Sequence, residues 1–89
     1  MVRRRVIAHG HVQGVFFRDS VRERAESRGL SGWVRNRDDG AVEAVFEGTE
    51  DDVDALIRFC HEGPRSADVE RVQVVDEDPM GDESAFEVR

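Results

Sequence analysis

The chain has 89 residues, with 13 basic side chains against 20 acidic ones and a formal charge of −7. That length suits one small domain, expected over residues 1–89 and able to bury about 60% of its unfolded surface. The acidity argues against nonspecific nucleic-acid binding, no apolar run reaches the ~20 residues of a membrane span, and the single cysteine, Cys60, forbids an intrachain disulfide.

A basic start, Met1-Val2-Arg3-Arg4-Arg5, leads into a strand expected over residues 3–9, with Val6, Ile7 and Ala8 as its apolar part. The three arginines are expected to be a solvated strand start. The apolar stretch behind them is too short for a secretory signal, so a cytoplasmic location is expected.

Gly10-His11-Val12-Gln13-Gly14-Val15-Phe16-Phe17-Arg18 follows. Glycines let a short loop curl so that successive backbone N–H groups face one concavity, an anion-binding nest. A helix expected over residues 19–28 adds unpaired amides and a partial positive charge at its start. Its apolar stripe is Phe17, Val21 and Ala25, and Gly29 stops it. Arg18 stands at the mouth, with a guanidinium able to fork two phosphate oxygens. The pattern predicts a phosphate cradle built by Gln13, Gly14, Val15, Phe16 and Phe17. Phe16 has a second expected use, lining a pocket for the rest of a ligand.

A strand at residues 31–37 and another at 41–47 flank Asp38-Asp39-Gly40, which contains the hairpin dipeptide Asp-Gly. Trp33 and Phe46 are expected to pack. A second helix is expected over residues 50–62, opened by the capping-box-like Thr49-Glu50-Asp51-Asp52 and closed by Gly63-Pro64. Val53, Leu56, Ile57 and Cys60 share one face of it, which makes Cys60 a core residue rather than a nucleophile. A strand near residues 69–75, an exposed turn at Pro79-Met80-Gly81-Asp82 and a short strand at residues 85–88 complete the chain.

The order is βαββαβ with a final β. Right-handed crossovers in each βαβ half predict an α+β fold, one sheet with two helices on one face. The first two strands are then parallel, so the cradle and Asn36 lie at the same edge. With one strand between them, they are about 10 Å apart, twice the interstrand spacing, a gap that Arg18 and the Asn36 amide can bridge. A phosphoryl group held by amides and Arg18, beside an Asn36 that holds a water, suits substrates with a good leaving group. An amide is a poor general base, so mixed anhydrides of carboxylic and phosphoric acids fit better than phosphate monoesters.

At these residues the chain resembles the acylphosphatase family. The signature G-x-V-Q-G-V-x-[FY]-R is met at Gly10, Val12, Gln13, Gly14, Val15, Phe17 and Arg18. The second signature, G-[FYW]-V-[KR]-N-x3-G-x-V-x5-G, is met at Gly32, Trp33, Val34, Arg35, Asn36, Gly40, Val42 and Gly48. The resemblance implies a ferredoxin-like α/β sandwich, βαββαβ(β) with an antiparallel-mixed sheet, and hydrolysis of acyl phosphates to a carboxylate and inorganic phosphate. It implies no metal, no cofactor and no covalent intermediate, with Arg18 binding the phosphoryl group and Asn36 orienting the attacking water. The expected partner is a small acyl phosphate, with no nucleic acid and no membrane, and the chain is expected to be a monomer.

Two other readings compete. A binding module would keep the cradle without turnover, but has no need of a water-orienting amide. A ferredoxin-like RNA-binding domain shares the element order, yet the strand at residues 41–47 lacks the basic-aromatic RNA signature. His9 and His11 flank Gly10 without an acidic cluster close by, so metal ligation is not expected. All 13 basic residues are arginine. Adaptation to a high-salt cytoplasm and GC-rich codon usage both produce such a chain, and the composition alone does not separate them.

Overall fold

The computed structural model describes residues 1–81 and 85–89. Seven elements follow in order: β1 (Val2–His11), α1 (Phe17–Ser27), β2 (Ser31–Asn36), β3 (Val42–Gly48), α2 (Glu50–Glu62), β4 (Asp68–Glu77) and β5 (Phe86–Val88). They match the expected order, with no boundary moved by more than two residues. Of the expected turn Pro79-Met80-Gly81-Asp82, the last residue lies outside the described residues.

The strands form one five-stranded sheet in the order β4-β1-β3-β2-β5. β3 lies between β1 and β2 and runs antiparallel to both, which leaves β1 and β2 parallel to each other. β4 is antiparallel to β1, while β5 is parallel to β2, so the sheet is mixed.

Alternation along the strands divides the sheet into two faces. Val6, Ala8, Val34, Val42, Ala44 and Phe46 share one, and α1 and α2 cover it. The buried stripe of α1 is Phe17, Val21 and Ala25, as its spacing predicts. On α2 the buried face is Val53, Leu56, Phe59 and Cys60, with Ile57 half-buried. Phe59 takes the deeper position because it packs beside Phe17, with ring centroids 6.3 Å apart.

Helix ends follow local chemistry. In α1, Gly29 N–H donates to Glu26 and Leu30 N–H donates to Ala25, the paired bonds of a Schellman cap. In α2, Thr49 accepts from the Asp52 N–H at 3.3 Å, and its hydroxyl donates to the Asp52 carboxylate at 2.9 Å.

The opposite face of the sheet corrects one expectation. Arg3, Arg4 and Arg5 are not a solvated start. Arg3 is 5% exposed and bonds Glu47 and Glu77, each at 3.2 Å. Arg5 bonds Glu43 and Glu77, and Arg4, on the helix side, reaches Asp54 at 2.6 Å. Glu43 and Glu47 are buried among these partners. Arg5, Arg35 and Arg89 lie 5.1–5.9 Å from the Trp33 ring, so arginines lie over the aromatic surface on this face. The partners lie 38 to 74 residues away in sequence, which is why local reading missed them.

Candidate active site

β1 delivers the chain to the site through an irregularity between His9 and Gly10. Gly10 has φ 128°, and a Cβ there would sit 2.3 Å from the Asp68 carbonyl oxygen. Only glycine lets β4 approach this closely as the strand turns into the loop.

In that loop, Gly14 has φ 73° and Phe16 has φ 65°, with Val15 between them outside the positive-φ region. Left-handed residues alternating with an ordinary one form a nest, which turns successive amides toward one focus. Among the described residues, the backbone N–H groups of residues 14–18 donate to no protein acceptor. α1 begins immediately afterwards and has no side-chain cap. Its first amides therefore remain available, and the positive end of its dipole adds to them.

Two side chains fix the loop from outside. The Gln13 amide donates to the carbonyl oxygens of Arg37 and Ala41, at 2.7 and 3.0 Å. Those residues form the turn of the β2–β3 hairpin, closed by Arg37 N–H to Ala41 at 2.8 Å. From the segment between α2 and β4, the Ser66 hydroxyl donates to the Val15 carbonyl at 2.8 Å. Neither clamp was anticipated. Gln13 was expected to contribute its backbone to the cradle, and its side chain has the further role of binding the hairpin.

A cavity of about 290 Å³ opens at this end of the sheet, lined by Gly14, Phe16, Phe17, Arg18, Asp19 and Asn36. Of the predicted site residues, Arg18 and Asn36 thus meet on one cavity. Gln13 and Val15 do not line it, and Val15 is buried at 5% exposure. Asn36 ends β2 opposite Val42, on the helix-covered face. Its Oδ1 is buried and, among the described residues, lacks a hydrogen-bond partner. A buried carbonyl oxygen left unpaired costs about 1–3 kcal/mol, so such a group in a cavity wall needs an explanation.

Arg18 is half-buried and has no carboxylate partner among the described residues. The neighbouring Asp19 contacts Arg22 at 3.9 Å. On the hairpin, a hydrogen bond from the Ala41 N–H holds the Asp39 carboxyl below its ordinary value, assisted by Arg37 and opposed by desolvation.

The other reactive side chains lie elsewhere. His9 Nε2 contacts Gln73 Oε1 at 2.8 Å, across from β4. Cys60 is 1% exposed, and burial pushes its thiol up to about 12. It stays protonated and unreactive in the native protein.

The chain is similar to known proteins in both sequence and fold. The family profile described as Acylphosphatase matches residues 4–88. The chain is 62% identical over 85 residues to an acylphosphatase of Rubrobacter xylanophilus, covering 96% of this chain and 77% of that one. It is 55% identical over 87 residues to an acylphosphatase of Haloarcula marismortui, covering 98% and 94%. The crystal structure of acylphosphatase from Bacillus subtilis superposes with a TM-score of 0.94 at 35% identity, covering 100% and 99%.

Proposed function

This chain belongs to the acylphosphatase family and hydrolyses acyl phosphates, and from that premise we propose that Arg18 and Asn36 carry the reaction, with amides of residues 13–18 as the phosphoryl cradle. The protein is a hydrolase acting on acid anhydrides, so the non-catalytic alternative is not retained.

The observation that carries the assignment is that Arg18 and Asn36 line one cavity, and that Asn36 Oδ1 has no hydrogen-bond partner among the described residues. An amide oxygen there accepts a hydrogen bond from a water and aims that water's lone pair at phosphorus. The cradle amides and Arg18 hold the three terminal phosphoryl oxygens and balance their charge. The water oxygen bonds phosphorus as the bond from phosphorus to the acyl oxygen breaks. The bonding pair leaves on the carboxylate. The protons of the water stay on the phosphate, which then sheds one to solvent according to pH.

This path needs neither a strong base nor a nucleophilic side chain. The leaving carboxylate is weakly basic and the transition state is loose, so positioning and electrostatics supply the rate. In this reading the reaction takes place without a metal. Residues 1–89 act as one domain and as a monomer, in the cytoplasm, without a nucleic-acid partner. Among the described residues, one core cluster shared by both helices supports the one-domain reading. No helix among the described residues is long and apolar enough to cross a membrane.

The test is hydrolysis of benzoyl phosphate with and without EDTA, with inorganic phosphate as competitor. The proposal predicts activity unchanged by EDTA and competitive inhibition by phosphate. Metal-dependent turnover, or phosphate that does not compete, contradicts it.

A further inference from the structure

Four of the five phenylalanines are in the core: Phe17, Phe46, Phe59 and Phe86 are at most 8% exposed. Phe16 is 75% exposed and lines the cavity with Arg18 and Asn36. It is also the only described residue other than glycine with positive φ. A nest needs a left-handed residue at this place, but it does not need a ring. Gly14 supplies the same kind of conformation two residues earlier at lower cost, and asparagine tolerates it better than phenylalanine does. The backbone therefore does not account for the aromatic side chain. Packing does not account for it either, because most of its surface is bare.

The remaining use lies in the cavity. The polar groups there, the amides, Arg18 and Asn36, suit the phosphoryl end of a substrate. The Phe16 side chain has no polar group to take part, while its ring offers a flat apolar surface beside them. An acyl group joined to the bound phosphoryl group must occupy the space next to the cradle. We propose that Phe16 is the specificity-determining residue for the acyl end, favouring flat or bulky apolar acyl groups, aroyl phosphates in particular, over acetyl phosphate. The inference rests on the acyl phosphate reading of the site and adds its substrate preference. An exposed ring gives contact from one side only, so its effect falls on selectivity rather than on bond cleavage.

The experiment compares kcat/KM for benzoyl phosphate and acetyl phosphate in the natural chain, in Phe16→Asn and in Phe16→Trp. Asparagine keeps the left-handed backbone and removes the ring; tryptophan keeps an aromatic surface. The expected result is a benzoyl-to-acetyl preference that falls about tenfold in Phe16→Asn and survives in Phe16→Trp, the size of one aromatic contact. Taking the ratio cancels any change in the cradle common to both substrates. An unchanged ratio in Phe16→Asn overturns the inference while leaving the hydrolase reading intact. Failure of the natural chain to hydrolyse either substrate overturns the reading beneath it.

Discussion

Gln13 and Arg37 are joined by a hydrogen bond of 2.7 Å from a side-chain amide to a backbone carbonyl, across 24 residues of sequence. Arg37 directly follows Asn36, and Gln13 directly precedes Gly14. The bond therefore ties the loop of the cradle to the strand end that presents the proposed water-orienting amide. A second bond from the same amide, to Ala41, doubles the tie.

Removing that tie tests its role. In Gln13→Leu each carbonyl keeps a backbone donor, Gly40 N–H for Arg37 and Arg37 N–H for Ala41, so the loss is two ordinary hydrogen bonds at about 0.5–1.5 kcal/mol each. We expect a lower melting temperature, a folded protein by circular dichroism, and kcat reduced about tenfold through loss of alignment. A variant with unchanged kcat would show that the hairpin and the cradle are held in register by other contacts.

Glu47 anchors the far end of the sheet. It accepts backbone N–H groups of Met80 and Gly81 at 2.9 and 2.8 Å, and it pairs with Arg3. The hydrogen bond from Met80 leads in holding its carboxyl below the ordinary value of 4.5; burial opposes this, and Gly81 and Arg3 assist. Burial raises Glu43 and Glu77, but hydrogen bonds from Arg5, with Arg35 at Glu43 and Arg3 at Glu77, outweigh it and leave both lowered. Carboxylates whose folded values are depressed stabilise the protein above the unfolded value and lose that contribution as pH falls through the folded one. Stability should therefore begin to drop near pH 4.5 and continue falling below it. Glu47→Ala should destabilise the protein by about 3 kcal/mol at neutral pH, since it breaks a buried pair. Urea unfolding across pH 3 to 7, roughly spanning the carboxylate range, measures both effects.

Salt acts on two populations of charge in opposite directions. The chain carries seven more acidic than basic side chains, and its exposed carboxylates repel one another at low ionic strength. The Arg3–Glu47 pair is buried and screened far less. The net expectation is a melting temperature that rises between about 0.1 and 1 M salt as the Debye length shrinks from about 10 to 3 Å. A falling melting temperature would instead mean that the exposed ion pairs outweigh the repulsion.

Cys60 provides a stability probe. Its thiol is fully buried on α2. Reaction with an aromatic disulfide reagent should occur only through opening of the fold, at a rate that follows global unfolding as urea is added. Fast labelling of the native protein would contradict its placement in the core.

Much of the fold was legible because its signals are local. The stripe Phe17, Val21 and Ala25, the Thr49 cap and the Asp39-Gly40 turn each depend on residues within a few positions of one another. Arg18 and Asn36 were legible as a pair because parallel strands bring their C-terminal ends to one edge. The arginine network was not, since register decides which carboxylate Arg3 meets. The Gln13 and Ser66 clamps were hidden for the same reason: each reaches a backbone carbonyl, which carries no sequence signature. The left-handed backbone at Phe16 was also missed, because phenylalanine disfavours it and only the geometry of the nest demands it.

The division of labour between Arg18 and Asn36 is the central claim, and it predicts different defects. Steady-state hydrolysis of benzoyl phosphate, with the inhibition constant for inorganic phosphate measured alongside, separates them in Arg18→Ala and Asn36→Ala. Asn36→Ala should lower kcat by about 10²–10³ while phosphate still binds, and Arg18→Ala should weaken phosphate binding as well as turnover. Phosphate binding lost equally in both variants, or an Asn36→Ala enzyme that turns over normally, would contradict the account.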